Sequence, residues 1–479
     1  MDNLVLALAV GVAVISIIAL VRVNQLRKGD LKTLRDIKEA KSALSKKVFY
    51  HGDSDIPNYR QFMQKLLKVE RKFTRYHISL IKLGKQPVFD DVEEHLDSLS
   101  ELFNAISKSC EPFALALYDS KYILMAYVTQ GSGANAQEAA EKQLEILAKL
   151  PDQVSISNTQ VPIDYAISSL SLTGYSAIYG MDKVQRRLAY SMEHALESDN
   201  GVFFHNEQLY KAEMYKKHVL RKLTSSISFN PDDFYLVFQP IYIPHDLDRP
   251  KRYEALIRWK NNRNLGPKTF IPMLKSQPGL QEGMTEIVLN QVFSLLKVQL
   301  ETKKHLTPIH INITKQELNT EHLFSHLKQL LKGAPSIASF IIFEVEQNEA
   351  LADSEYIKSN MRKIINLGCK FSIDNFDNDK KSYQLLSNGY YKTIKVDKSY
   401  IGEIRDRRAT SESLEQIMST ALRAKLTVVV EGVENQYQLE YVKSFENAML
   451  QGYYISAPLS VHDYLSLEGK RSLSVNALQ

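Results

Sequence analysis

From Phe234 onward the chain alternates short apolar runs with amphipathic stretches, and this alternation constrains its fold more than any other feature. The runs are FYLVFQPIY, YEALIRW, HINI, SFIIFEVE, KFSIDNF, KTIKVD, TVVVEGV and MLQGYYI. Helical periodicity fills most of the intervals, as at 284–300, 321–332, 356–367 and 411–425. Apolar strands joined by amphipathic helices are stable when the helices cover the sheet, so eight such runs in about 240 residues predict a TIM-type (β/α)8 barrel. In that architecture functional groups collect at the C-terminal ends of the strands.

Each run carries a polar residue at or near its end. Gln239 lies on the first, Glu254 on the second, Asn312 on the third and Glu344 on the fourth. Asp374 and Asn375 close the fifth, Lys395 and Asp397 the sixth, Glu431 and Glu434 the seventh, and Gln451 is placed within the eighth. A single acid at a strand end is usually a helix cap or a surface charge. Recurrence in register with eight strands needs another explanation, and a barrel would bring these residues to one rim. Carboxylates with an Asn oxygen are hard ligands suited to Mg²⁺ or Mn²⁺, and a lysine among them can hold a water or a phosphate oxygen. The chemistry expected is a divalent-metal site acting on a phosphate ester, with two-metal hydrolysis as one route.

These stretches resemble the EAL family. YEALIRW matches its signature, FQPIY the strand before it, and HINIT, IIFEVE, SIDNF, IKVDKSYI, VVVEGVEN and LQGYYISAPL follow in order across residues 234–459. The resemblance implies a modified TIM barrel over 222–470 that binds cyclic di-GMP and, in active members, hydrolyses it to pGpG with Mg²⁺ or Mn²⁺. It implies Glu254, Asn312, Glu344, Asp374 and Glu431 as metal ligands, with Glu254 and Lys395 catalytic, Lys395 by holding the water. Gln451 would lie beside the metals, and Gln239 and Arg258 would contact the nucleotide, Arg258 through a phosphate. Asp397 and Glu434 complete the expected ligand-binding set.

The departures cluster on one loop. Where active members carry DDFGTG, this chain has Asp374-Asn375-Phe376-Asp377-Asn378-Asp379. Asn375 thus replaces an aspartate that serves as metal ligand and base, and an amide can neither carry the charge nor accept the proton. Loss of the glycines implies a different loop path. Gln347 stands where the family's loop-anchoring glutamate is expected, which predicts a poorly anchored loop.

The N-terminal half reads differently. Residues 4–21 form a charge-free apolar run, followed by Arg22, Arg27, Lys28, Lys32 and Arg35. Length and flanking charge predict a transmembrane anchor over 1–23 rather than a cleaved leader, with the rest cytoplasmic by the positive-inside rule. A helical linker over 24–48 places Leu34, Ile37, Leu44 and Val48 at coiled-coil spacing, broken by Lys41. One amphipathic helix packing on its own domain fits the same residues, as does a short parallel dimer. Residues 49–215 read as mixed α and β, with a strand at 77–83 and a hairpin at 112–118 and 122–128. This region resembles a strongly degenerate GGDEF domain. Tyr118-Asp119-Ser120-Lys121 stands at the signature turn without its glycines, so diguanylate cyclase activity is not expected.

The formal net charge is only +5 and dispersed, which argues against a nucleic-acid partner. Cys110 and Cys369 stand alone, without neighbours at metal-ligand spacing. The expected protein is a single-pass bacterial inner-membrane signalling protein, dimeric by resemblance, with an unidentified protein partner. Its EAL domain would bind cyclic di-GMP with weak or no hydrolysis. A slow phosphodiesterase and a nucleotide-independent adaptor are the alternatives.

Overall fold

The computed structural model describes residues 31–476 except 52–53, 70–74, 84–91, 120, 129–135, 157–158, 163, 174–179, 261–264, 303–304, 351–353 and 387. The expected anchor lies outside the described residues, and among those described no helix is long and apolar enough to cross a membrane. The chain divides into two compact units, Met1–Glu213 and Met214–Gln479.

The first unit is built on a five-stranded sheet of order β2-β3-β1-β6-β7, comprising β1 (Arg75–Leu83), β2 (Ala114–Asp119), β3 (Tyr122–Tyr127), β6 (Tyr165–Thr173) and β7 (Val202–Phe204). A separate ribbon pairs β4 (Gln153–Ile156) with β5 (Thr159–Pro162). β1 is antiparallel to β3 and β6, while β7 runs parallel to β6. Alternation along β1 serves two cores, Ile81 and Leu83 on one face and Tyr76, Ile78 and Leu80 on the other. Helices Val92–Cys110 and Ala136–Lys149 supply Leu99, Leu102, Phe103 and Ile146 to the first. Tyr59–Val69 and Met181–Glu197 supply Phe62, Leu66, Val184 and Leu188 to the second.

The expected strand and hairpin are both present. β6 is an addition, because its run Tyr-Ala-Ile-Ser-Ser-Leu-Ser-Leu-Thr reads as loop by composition. Its serines are satisfied only in the folded state: Ser168 Oγ donates to Leu188 O at 3.0 Å, and Ser169 pairs with Ser79 across the sheet. The linker forms a helix, Leu31–Phe49, but positions 38–47 are exposed, so it does not pack on its own domain there.

In the second unit eight strands follow in chain order from β8 (Phe234–Ile241) and β9 (Arg252–Trp259) through β10 (Ile309–Ile313), β11 (Ile341–Glu346), β12 (Lys370–Asp374), β13 (Tyr391–Val396) and β14 (Thr427–Val430) to β15 (Ala448–Leu450). The sheet curls, and its ends meet through paired backbone hydrogen bonds between Tyr242 and Leu450 and between Phe238 and Leu459. One feature corrects the (β/α)8 expectation: β8 and β9 are antiparallel, whereas every other neighbouring pair is parallel. The physical reason lies in the segment 242–251, whose Pro244, Asp246, Asp248 and Pro250 break any crossover helix and return the chain as a hairpin. β8 accordingly alternates, with Phe234, Leu236 and Phe238 buried and Tyr235 exposed, while β11 is a continuous buried run. A further correction is that Gln451 lies just beyond β15 rather than within a strand.

Candidate active site at the barrel mouth

Parallel register brings four acids, three on strands and one just past a fourth strand, around one ammonium. Lys395 Nζ, on β13, lies 2.9 Å from Glu254 Oε2, 3.0 Å from Glu344 Oε2, 2.6 Å from Glu431 Oε1 and 3.8 Å from Asp374 Oδ1. Glu254 also accepts from Asn312 Nδ2 at 3.0 Å and Gln451 Nε2 at 2.9 Å. Asn312 and Glu344 are direct partners in the β10–β11 register. Glu431 is one residue past β14, where its N–H donates to Val396 O at 3.0 Å. Gly432 makes that turn possible at φ 64°, and a Cβ there would stand 2.4 Å from Lys398 Cβ.

One ammonium among four carboxylates leaves negative charge in a buried place, and protons take up part of it. Burial pushes Glu344 well above the carboxylate range; Lys395 opposes that push, while Glu254, Asp374 and Glu431 add to it. Glu431 is raised for the same reasons. Glu254 goes the other way, because Lys395 and the donors Gln451 and Asn312 outweigh its burial. Lys395 is raised against its own burial by the surrounding acids. Its charge is therefore fixed.

Sequence reasoning missed His310. Its Nδ1 lies 2.6 Å from Glu344 Oε1 with both side chains fully buried, and burial, Arg252 and Lys395 hold the imidazole neutral. The signal was available: spacing of i and i+2 on a strand puts His310 on the same face as Asn312. Arg252 lies on that layer too, donating to Thr393 Oγ1 at 2.7 Å.

The loop after β12 differs from expectation. Gln347 does anchor it, donating from Nε2 to Asp377 Oδ1 at 2.6 Å and accepting from Asp377 N at 2.8 Å. A glutamate here would set two carboxylates against each other, so Gln347 and Asp377 are matched. Ser382 Oγ also donates to Asp377 Oδ1 at 2.9 Å, and Asn378 N donates to Tyr400 OH at 3.0 Å. Asn375 adopts φ 50°, a left-handed conformation that Asn tolerates well, and it is exposed.

Arg258, Asn312, Asp374 and Asn375 share a cavity of about 300 Å³ with apolar walls from Leu274, Met284 and Val288. Gln239 is half-buried opposite Glu254 in the β8–β9 register and does not line that cavity. Asp397 caps its own turn, accepting from Ser399 N at 2.9 Å. Glu434 pairs with Lys398 at 3.2 Å, both more than half exposed. The structure does not bring these two into the Lys395 cluster.

The donor set fits a Mg²⁺ or Mn²⁺ ion in kind, being all oxygen. The buried Asp374 Oδ1 and Gln451 Oε1, moreover, have no hydrogen-bond partner. Among the described residues no three His, Cys, Asp or Glu side chains already stand as a metal cage, since the acids close on Lys395 instead. Glu254, Asn312, Glu344, Asp374 and Glu431 are the residues that would hold the ion, which would supply Lewis-acid polarisation of a phosphate oxygen.

Residues 221–458 match the family described as EAL domain. The chain is 27% identical over 277 residues to the cyclic di-GMP phosphodiesterase NbdA of Pseudomonas aeruginosa, covering 57% of this chain and 34% of that protein. It is 26% identical over 239 residues to the probable cyclic di-GMP phosphodiesterase PdeN of Escherichia coli, covering 49% and 45%. It thus spans between a third and a half of the length of these curated relatives. Among solved structures, the Xanthomonas citri FimX EAL domain in complex with cyclic di-GMP superposes with a TM-score of 0.47 at 17% identity, over 52% of this chain and 97% of that one.

Proposed function

Since the chain carries an EAL domain over residues 221–458, we propose that it is a cyclic di-GMP receptor whose barrel mouth binds the dinucleotide with weak or no hydrolysis. The observation that carries this reading is the position of Asn375. The five expected metal ligands stand around or beside Lys395, yet the position that should add a further carboxylate is a neutral amide outside that cluster. Binding would rest on Arg258 and the cavity it lines, and Gln239 would contribute from β8. Mg²⁺ or Mn²⁺ would be held weakly, because one anionic ligand is missing.

The first unit would act as a non-catalytic, GGDEF-like relay. Its hairpin turn carries Asp119 with neither glycine nor a second acid. Tethering at the bacterial inner membrane is supported by the apolar run at 4–21 and the basic residues after it. Dimerisation and an unidentified protein partner belong to the same reading, and sedimentation of the purified chain checks the former.

A slow phosphodiesterase is the second reading, favoured by the intact Lys395-centred acids. Titration with cyclic di-GMP followed by product analysis separates the two. Binding that is lost in Arg258→Ala and forms no pGpG supports the receptor. pGpG formed at an ordinary enzymatic rate, ~1 s⁻¹ or faster, sinks it. An Arg258→Ala variant with unchanged binding would move the dinucleotide away from this mouth.

A further inference from the structure

The mouth cavity that Arg258 lines reaches between β9 and the helices Pro267–Lys275 and Pro278–Glu301. Its walls there are apolar: Ile257 comes from the strand, Ile271 and Leu274 from the first helix, Met284 and Val288 from the second. Such walls suit the faces of a heteroaromatic ring. At about 300 Å³ the cavity takes one base of a dinucleotide rather than the whole molecule.

Polar groups on the same cavity are left unsatisfied. Gln281 is 8% exposed; its Nε2 is turned to Glu317 Oε2 at 3.4 Å, while its Oε1 has no hydrogen-bond partner. A buried acceptor without a donor calls for a ligand or a water. Lys275 and Glu346 line the cavity too, with Lys275 Nζ 2.9 Å from Glu346 Oε2 and 3.2 Å from Glu349 Oε1. Glu346 closes β11 on the same face as Glu344 and level with Asp374 in the β11–β12 register. An ammonium carries three donors, so one of them and the second carboxylate oxygen of Glu346 are left for a ligand.

We propose that this part of the mouth is a guanine pocket, in which Gln281 Oε1 and Glu346 Oε1 accept from N1–H and N2–H₂ of the base and Lys275 donates to O6. The proposal rests on the reading that the mouth binds cyclic di-GMP, and adds which residues select its base. Guanine presents donors at N1 and N2 beside an acceptor at O6, whereas adenine presents an acceptor at N1 and a donor at N6. Adenine would therefore set its amino group against the ammonium and its N1 against the carboxylate. Groups left unpaired by the wrong base supply as much of the selection as the contacts made to the right one.

The test is calorimetric titration of the full chain in Ca²⁺ with cyclic di-GMP and with its adenine counterpart, cyclic di-AMP. The wild-type chain should prefer the guanine form by at least ~tenfold. Gln281→Leu drops the acceptor at little change in size, and Lys275→Met drops the ammonium but keeps the stem. Each should loosen cyclic di-GMP by roughly five- to hundredfold and cyclic di-AMP by less, so that the preference narrows. A merely structural role would weaken both ligands alike, and circular dichroism confirms that the variants are folded. Equal affinity of the wild-type chain for the two dinucleotides overturns the proposal. A chain that binds neither overturns the mouth reading and this proposal with it. Cyclic di-GMP binding that is lost in Arg258→Ala, with a base preference unchanged in both pocket variants, overturns the guanine pocket alone.

Discussion

Asn375 holds a backbone conformation that aspartate also tolerates, so Asn375→Asp adds a charge beside Asp374 without refolding the loop. If the missing carboxylate is what limits turnover, pGpG formation in Mn²⁺ should rise by roughly a hundredfold or more, the usual worth of a general base. An unchanged rate would place the block elsewhere. Gln347 supplies the complementary experiment. Gln347→Glu sets a second carboxylate against Asp377 at a contact now 2.6 Å long and should cost about 1–3 kcal/mol. Asp377→Asn in that background restores a donor and should recover most of the loss, read as a double-mutant cycle in urea. The ligand residues were legible because strand ends recur in register. The Gln347–Asp377 match was not, since it joins residues thirty positions apart whose contact exists only once the loop has folded.

At the scale of elements, the sheets set what their residues can do. His77 lies on β1, buried, stacked on Tyr127 at 5.2 Å and with Nδ1 2.9 Å from Ser171 Oγ. Burial, with Arg75 adding to it, lowers its pKa to about 4. Unfolded imidazole titrates near ~6.5, so between these values the unfolded chain holds more protons and stability falls as pH falls. The first unit should lose up to about 3 kcal/mol from pH 6.5 to 4 and no more from this group below that. His77→Phe should flatten that part of the curve, measured as melting temperature against pH. At the mouth, Gly432→Ala would drive a Cβ into Lys398 and displace Glu431, costing about 1–3 kcal/mol and weakening Mn²⁺ binding in calorimetry. Period and punctuation revealed the parallel strands, whose apolar runs are continuous. The antiparallel β8 was written in its alternation, but alternation alone does not say which neighbour a strand will pair with. The serine-rich β6 carried no such mark, because its hydrogen-bond partners lie on other elements.

At the scale of the whole molecule, the proposed reading gives sensing to the second unit and no chemistry to the first. The ordered run of strand-end residues was enough to expect a metal-dependent phosphate-ester site on a barrel, and the resemblance to the EAL family supplied the nucleotide. Neither revealed His310 beneath the acids or the Lys275–Glu346 pair on the cavity wall, since both depend on how neighbouring elements pack. The central claim is that the barrel mouth binds cyclic di-GMP and rarely cleaves it. Calorimetric titration of the chain with cyclic di-GMP in Ca²⁺, followed by chromatography of products formed in Mg²⁺ and in Mn²⁺, addresses it directly. The account predicts ~micromolar or tighter binding, or about −8 kcal/mol, with little or no pGpG. Absence of binding, or turnover at ~1 s⁻¹ or faster that disappears in Glu254→Ala, would contradict it.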